Sequence, residues 1–167
     1  ANANPNLADV IDLAGNTLLF SDGPYSDADG PNALPIVSQW LTLQNGTLER
    51  DTAAPRFRFL ELEFSLPNRL YLIDMTLRHG HSNTNGGAIL ARDYLRVLMT
   101  RFENNRAEGS GGAVQGLGQN IDFIGADFYG NTATHGAVVS HGVTSFQHSR
   151  IEGNGDAATL SLLRGDY

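Results

Sequence analysis

The sequence contains no cysteine and no lysine, and each absence excludes a class of chemistry. Without cysteine the chain has no disulfide bonds, no thiolate nucleophile and no thiolate metal ligands, and cysteine usage points to no particular redox compartment. Without lysine it has neither Schiff-base nor lysine-base catalysis, since all 11 of its strongly basic residues are arginine.

Positive charge and long apolar segments are also scarce. The formal net charge of -7 leaves no basic surface for DNA or RNA, and it disfavours anionic membranes. No apolar run approaches the roughly 20 residues that a membrane-spanning helix needs. We therefore expect no nucleic-acid partner and no membrane insertion by this chain.

The residues that are present have the composition of one folded domain. The 167 residues are 41% hydrophobic and 17% charged, which is enough apolar material to bury a sizeable core. We expect residues 1–167 to form a single domain. The chain starts "ANANPNLADV", without an initiator methionine or a signal peptide, so we expect it to be a segment excised from a longer protein.

An apolar pattern recurs along the chain at intervals of roughly 25 residues. Each copy places apolar residues at positions that we number 0, +2 and +7, and the last copy has one polar substitution, at Thr144. The copies are Ile11/Leu13/Leu18, Leu41/Leu43/Leu48, Leu70/Leu72/Leu77, Leu95/Val97/Phe102, Ile121/Phe123/Phe128 and Thr144/Phe146/Ile151. Positions 0 and +2 share one face of a strand, whereas +7 breaks the alternation, so a bend must separate them.

Each copy contains a further short apolar segment, so one unit has about three short strands. These segments are "GGAI", "GGAV" and "GAVV" in the later copies, with counterparts in "PIV" at Pro35, "FRFLELEF" at Phe57 and "ATL" at Ala158. Such a unit is too short for a βαβ crossover, and helical periodicity is confined to the ambiguous stretch Ala157–Leu163. Because crossovers between parallel strands are right-handed, the sequence predicts an all-β, right-handed parallel β-helix, a solenoid of about five to six coils of roughly 25 residues.

Glycine and asparagine mark the turns of this predicted coil. The paired glycines are expected where the chain turns sharply into a strand, with positive φ or close backbone approach. Asn105, Asn131 and Asn154 fall at the same step of the turn in "FENN", "FYGN" and "IEGN". Asparagine bonds neighbouring backbone readily, so we expect these three residues to stack as a structural turn ladder.

These motifs carry a resemblance to known families. "GGAI" with "FENN", and "GGAV" with "FYGN", resemble the GGA[ILV] and FxxN repeats of chlamydial polymorphic outer-membrane proteins. The segment from "DVIDLAGNTLLF" through "DGPNALP" to "LERD" looks like the start of β-helix regions in bacterial CSLREA and choice-of-anchor surface proteins. The resemblance implies a secreted or cell-surface bacterial passenger segment, such as an adhesin, and it supplies no enzymatic site. "HGAV" departs from the usual Gly-Gly pair.

An enzyme is the alternative, because polysaccharide lyases and glycoside hydrolases also use this fold. Such sites need several carboxylates on neighbouring coils of one outward face. The outward columns instead place Arg96 beside Asp122, and Asp127 between Arg101 and Arg150, as in cross-rung ion pairs. We therefore expect no catalytic residues and no cofactor.

The candidate metal ligands are dispersed along the coils. Only His79 and His81 are close enough to share an ion, and we interpret them instead as solvated turn histidines. Asp27 and Asp29 in "SDADGPN" resemble a fragment of a calcium loop that lacks the downstream bidentate acid, so a plain turn is favoured and calcium binding stays open. We expect no metal site. The "RGD" at Arg164–Asp166 is too short a match to predict integrin binding.

Five aromatic and arginine residues are expected on one outward face, where packing of the core cannot explain them. Trp40, Arg69 and Tyr94 occupy position -1 of three successive coils, and Tyr71 and Arg96 lie in the neighbouring +1 column. Tryptophan, tyrosine and arginine are enriched at recognition sites, and flat aromatic faces suit sugar rings. We expect these five residues to form the ligand-binding surface. The alternative is that the long "SDGPYSDADGPNALP" excursion folds over this face and buries Trp40.

These observations favour a non-enzymatic surface module that acts in adhesion, in glycan or partner binding, or as a structural spacer. The expected partner is a glycan or a surface protein. The ends of a β-helix expose unpaired backbone and apolar side chains. "ANANPNLADV" is expected to shield one end and "ATLSLLRGDY" to form an interrupted last coil, so end-to-end self-association is also expected.

Overall fold

The computed structural model describes residues 9–64, 69–118, 120–136, 138–141, 144–155 and 160–163. Within these ranges the chain forms twenty β-strands and no helix. The strands are β1 (Asp9–Asp12), β2 (Thr17–Phe20), β3 (Tyr25–Asp27), β4 (Gly30–Asn32), β5 (Leu41–Arg50), β6 (Leu60–Leu62), β7 (Arg69–Arg78), β8 (His81–Ser82), β9 (Ile89–Ala91), β10 (Tyr94–Leu98), β11 (Arg101–Glu103), β12 (Arg106–Ser110), β13 (Val114–Gly116), β14 (Ile121–Ile124), β15 (Asp127–Tyr129), β16 (Thr132–His135), β17 (Val138–His141), β18 (Thr144–Gln147), β19 (Arg150–Glu152) and β20 (Leu160–Leu163). Over the described residues, accordingly, no helix could cross a membrane.

Each strand pairs in parallel with its equivalent one coil away. One bent sheet stacks β1, β5, β7, β10, β14 and β18 along one half, and β2, β5, β7, β11, β15 and β19 along the other half. A second sheet runs β6-β9-β13-β17-β20, and a third runs β8-β12-β16. The exception is the antiparallel hairpin of β3 and β4. The predicted class, an all-β parallel β-helix, is confirmed, with about five turns.

The register of the later coils is the one that the apolar triplets predict. Leu43, Leu72, Val97, Phe123 and Phe146 are paired in one line through β5, β7, β10, β14 and β18. All but Phe146 are buried, and Phe146 is partly buried against the core. Its ring stacks on Phe123 with centroids 4.8 Å apart. These side chains form the core column.

In the first copy, the alignment of strand β1 with the next coil differs by two residues from the one that the apolar triplets predict. Leu18 pairs with Leu48 as predicted, but Ile11 pairs with Leu43 rather than with Leu41. The turn before β2 is longer than its equivalent in the next coil, and Ala14 and Gly15 both adopt positive φ there. An apolar pattern alone cannot detect such an insertion in a turn.

A left-handed residue at position +4 makes the bend that the triplets require. Asn45, Asp74, Met99, Gly125 and His148 occupy this position in successive coils, and all have φ between 47° and 64°. In two coils the bend lies inside one long strand, β5 or β7. In the next two coils the bend separates the equivalent segment into two short strands, β10 and β11 or β14 and β15. Those coils therefore have four short strands rather than the predicted three.

The paired glycines combine a left-handed conformation with close backbone approach. Gly86, Gly111 and Gly136 have φ near +65°, so the "HGAV" turn keeps the left-handed glycine. At Gly112 a Cβ would lie 2.5 Å from the Thr132 carbonyl oxygen, so a side chain does not fit.

Three sequence features fall largely outside the described residues. These are most of "ANANPNLADV", the "RGD" tripeptide, and the parts of "ATLSLLRGDY" on either side of β20. Leu160 of the "ATL" segment pairs with Val138 as expected, and Leu160–Leu163 is a strand.

Candidate functional site

Three neighbouring strands bring the predicted patch residues together. Arg69 pairs with Tyr94, and Tyr71 pairs with Arg96, between β7 and β10. Trp40 directly precedes β5, whose first residue Leu41 pairs with Leu70. Alternation along each strand points these five side chains away from the core. We call Trp40, Arg69, Tyr71, Tyr94 and Arg96 the aromatic–arginine patch.

Within the aromatic–arginine patch the side chains contact one another in a fixed pattern. The Arg69 guanidinium lies over the ring of Trp40 and over the ring of Tyr94, with Cζ 5.4 Å from each centroid. Tyr71 makes edge contacts with the same two rings, at centroid distances of 5.8 Å to Trp40 and 6.0 Å to Tyr94. Each cation–π contact contributes about 0.5–1 kcal/mol at an exposed site, so the pattern holds Arg69 in place.

Tyr94 is further oriented by a carboxylate on the next coil. Its hydroxyl donates a hydrogen bond to Oδ2 of Asp122 at 3.1 Å. Burial, followed by this bond to the anion, raises the pKa of Tyr94, so the phenol stays protonated. Asp122 is also the register neighbour of Arg96, as the sequence predicts, but its described hydrogen bond goes to the tyrosine.

The two arginines of the aromatic–arginine patch differ from the other arginines that the structure describes. Neither Arg69 nor Arg96 has a hydrogen bond or an ion pair to another described residue. The remaining described arginines all meet oxygen acceptors: Arg50, Arg56, Arg58, Arg78, Arg92, Arg101, Arg106 and Arg150. On an acidic chain, two adjacent arginines that form no ion pair with a described residue mark a surface with unused donors.

The "SDGPYSDADGPNALP" excursion lies against the second sheet rather than over the aromatic–arginine patch. Asn32 bridges to Arg58 and Val37 bridges to Leu62, which places this segment beside β6. Its hairpin is held through Asp29, which contacts Arg58 with its carbonyl and Arg92 with its carboxylate. The excursion therefore follows the path of the coil from β2 to the second sheet.

A buried charge network fixes the excursion, and sequence reasoning missed it. Arg58 is fully buried and its Nη1 is 2.9 Å from Oε2 of Glu61. Glu61 also contacts Arg92 at 3.4 Å. Burial lowers the pKa of Arg58 and raises that of Glu61, and the attraction between the two charges opposes both shifts. A signal was available: Arg58 and Glu61 interrupt the apolar residues of the segment "FRFLEL", and an acidic loop precedes them.

The same network bears on calcium. Oxygens of Asp27, Asp29 and Glu61 lie within 4.8 Å of one another, which is close enough for shared ligation. Two of these three carboxylates already pair with arginine: Glu61 with Arg58 and Arg92, and Asp29 with Arg92. The charge that would bind a cation is thus largely balanced by the protein itself.

The predicted histidine pair does not share a partner. His79 Nδ1 lies 3.5 Å from Glu49, whereas His81 Nε2 lies 3.1 Å from Glu108. Because the two rings meet different carboxylates, they are arranged as members of separate surface charge clusters.

A shallow depression on the other half of the bent sheet contains more carboxylates, and these are paired. It is lined by Arg101, Glu103, Asp127, Phe128, Tyr129, Arg150 and Glu152. Arg101 is 3.5 Å from Glu103 and 3.9 Å from Asp127, and Arg150 is 2.5 Å from Glu152. Each of these contacts neutralises an acid that hydrolysis or β-elimination would have to use.

The asparagines at position +10 form a continuous line of hydrogen bonds. Oδ1 of Asn105 accepts from the Gly80 amide at 2.9 Å, Oδ1 of Asn131 from the Asn105 amide at 3.0 Å, and Oδ1 of Asn154 from the Asn131 amide at 2.8 Å. Their Nδ2 groups donate to the carbonyls of Leu77, Phe102 and Phe128. The left-handed residue of each turn is the preceding one, at Asn104, Gly130 and Gly153.

The fold and its turns thus define a parallel β-helix with glycine-paired and asparagine-bonded corners. Residues 100–116 match the model of the Chlamydia polymorphic membrane protein repeat, over the stretch that includes Phe102, Asn105 and the Gly111–Gly112 pair. The resemblance predicted from the motifs is confirmed for that repeat, and the chain is a β-helix protein similar to those proteins. The match is consistent with a surface-exposed protein. No curated protein and no solved structure gives a significant match.

Proposed function

We propose that this chain is a non-enzymatic module of the cell surface that binds carbohydrate through the aromatic–arginine patch. The observation that carries the proposal is the Arg69 guanidinium fixed between the rings of Trp40 and Tyr94. Rings held in place lose little freedom on binding, and sugars stack on such faces.

The sheet supports this role by keeping the patch flat and rigid. Tyr71 and Tyr94 stand on β7 and β10, whose backbones are hydrogen-bonded on both sides by neighbouring coils. Leu70, Leu72 and Leu95 of the same strands are fully buried, so the strands cannot shift without disturbing the core. A preorganised surface of this kind suits an extended polymer more than a small enclosed ligand.

A glycan array tests the proposal. We expect wild-type protein to bind a subset of glycans, and the Tyr71→Ala/Tyr94→Ala double variant to lose that binding at least tenfold. The matched control is Tyr25→Ala/Tyr129→Ala, which removes two tyrosines that are 45% and 57% exposed elsewhere on the chain.

The control should bind like wild type. Absence of any glycan signal from the wild-type protein, or an equal loss in both double variants, would refute carbohydrate binding by the patch. Circular dichroism and thermal unfolding of each variant separate lost binding from lost folding.

A further inference from the structure

We infer that the ligand of the aromatic–arginine patch is an anionic polysaccharide, bound through the carboxylate or sulfate groups of its sugars to Arg69 and Arg96. This inference rests on the proposed carbohydrate binding and specifies the ligand class. It follows from the state of the two guanidinium groups.

The contacts of Arg69 with the aromatic rings leave its N–H donors available. Its Cζ lies over the rings of Trp40 and Tyr94, and the side chain is exposed. The N–H donors of a guanidinium point outward in its plane, in a fork that matches the oxygens of a carboxylate or sulfate. No described residue supplies such an acceptor, so the fork is oriented and unused.

Arg96 offers a second set of donors beside the first. Its Nε–H is buried without an acceptor among the described residues, so its terminal Nη groups would meet the ligand. Arg69 pairs with Tyr94, and Arg96 is two residues further along β10. Strand spacing and rise place the two Cα atoms about 8 Å apart on a diagonal. Two cations at this separation suit a polymer whose charge repeats along its length.

The one nearby carboxylate does not cancel this pair of cations. Asp122 accepts from the Tyr94 hydroxyl at 3.1 Å and is closer by register to Arg96 than to Arg69. Arg69 is thus expected to be the stronger anion contact. The net charge of -7 opposes an anionic ligand at long range, but at physiological ionic strength charges beyond about 8 Å are largely screened.

The test measures binding to immobilised polymers by biolayer interferometry. Polygalacturonate presents carboxylates, dextran sulfate presents sulfates, and dextran and xylan are the neutral polymers. The variant is Arg69→Gln/Arg96→Gln, which keeps polar side chains but removes both charges. The control is Arg101→Gln/Arg150→Gln, which removes two equally charged arginines that are 57% and 68% exposed on the other half of the bent sheet.

We expect wild type and control to bind polygalacturonate, dextran sulfate or both at least tenfold more tightly than the neutral polymers. The Arg69→Gln/Arg96→Gln variant should lose at least tenfold of that affinity, because hydrogen bonds to charged groups are the strong ones. Which anionic polymer binds more tightly distinguishes carboxylate from sulfate recognition.

Three results would overturn the inference. Equal or tighter binding of xylan or dextran would refute the anionic ligand and leave carbohydrate binding standing. An equal loss in both arginine variants would indicate general charge attraction rather than the patch. Binding to none of the four polymers, together with a blank glycan array, would remove the proposed function as well.

Discussion

At the scale of single residues, the corner asparagine performs two tasks at once, because its side-chain amide both accepts and donates a hydrogen bond. Asn131 accepts from the Asn105 amide and donates to the Phe102 carbonyl, and it is fully buried. It therefore bonds one backbone donor and one backbone acceptor of the preceding coil. Buried backbone groups without partners cost about 1–3 kcal/mol each.

Replacing Asn131 with alanine should consequently destabilise the coil far more than its size suggests. We expect Asn131→Ala to lower the free energy of unfolding by about 1–3 kcal/mol, since it leaves the buried Asn105 amide without its acceptor. Urea denaturation followed by circular dichroism measures this change. Asn83→Ala is the control, because Asn83 is exposed and its described side-chain bond goes to Arg56. A loss for Asn131→Ala as small as that of the control would contradict the ladder's role.

Particular residues also show how far the sequence could lead. The inward register of Leu72, Val97 and Phe123 was predictable, because stacked identical coils force core residues into columns. The adjacency of Arg69 and Tyr94 followed from the same register. The position of Arg69 between two rings was not predictable, because it depends on side-chain rotamers that spacing does not encode.

At the scale of strands and hairpins, the charge network of Arg58 and Glu61 joins the excursion to β6, because Arg58 donates to the Asp29 carbonyl and Glu61 accepts from Asn32. All three residues of β6 are buried, because the core covers one face and the excursion covers the other. The charged positions are visible in the sequence, but the place of the excursion on the surface is not: an excursion between coils has no repeat register, so its position is set by contacts that lie far apart along the chain.

Removing only one partner of this buried pair should be more harmful than removing both. Arg58→Met leaves Glu61 buried with Arg92 as its remaining described cation, and we expect a loss of about 3–5 kcal/mol. Arg58→Met/Glu61→Leu removes both charges and should recover at least half of that loss. Urea denaturation of both variants measures the difference. If the double variant were the less stable one, the pair would not be behaving as a buried ion pair.

A second interaction at this scale makes the third sheet sensitive to pH. His81 in β8 contacts Glu108 in β12, across a strand pair of only two residue pairs. Burial lowers the pKa of His81 below its usual 6.5, with a smaller opposing effect from Glu108, so the folded chain prefers the neutral imidazole. The stability that this provides is present above pH 6.5 and is lost as the pH falls through the lowered pKa.

We therefore expect the melting temperature of wild type to fall between pH 7.5 and pH 5.5 by more than that of His81→Gln, which cannot take up the proton. The lowered pKa of Glu108 acts in the same direction, but below its usual 4.5 and thus outside this range. Differential scanning calorimetry at the two pH values measures both shifts. Parallel shifts in the two proteins would show that His81 does not contribute.

At the scale of the whole molecule, stacking identical coils creates one core and leaves its ends as edges. Within the described residues, β1 and β2 each pair with β5 alone. Ile11 and Leu18 face inward by register, yet 47% and 40% of their surfaces are exposed. Val10 and Leu19 on the same strands face outward and are 60% and 64% exposed. Among the residues that the structure describes, the first coil thus presents both an unpaired strand edge and uncovered core positions.

The last prediction concerns what this edge does in the 167-residue chain. We expect copies of the chain to associate through the first coil, because strand pairing at this edge would satisfy the open backbone groups and cover Ile11 and Leu18. Sedimentation velocity over a hundredfold concentration range should show a rising average mass.

Ile11→Glu/Leu18→Glu should abolish the rise by placing charges at the inward positions. Val10→Glu/Leu19→Glu adds the same charge to the same strands at outward positions, so it should associate almost as wild type does. A wild-type monomer at every concentration would refute the association, and an equal effect of both variants would attribute it to net charge rather than to the exposed core.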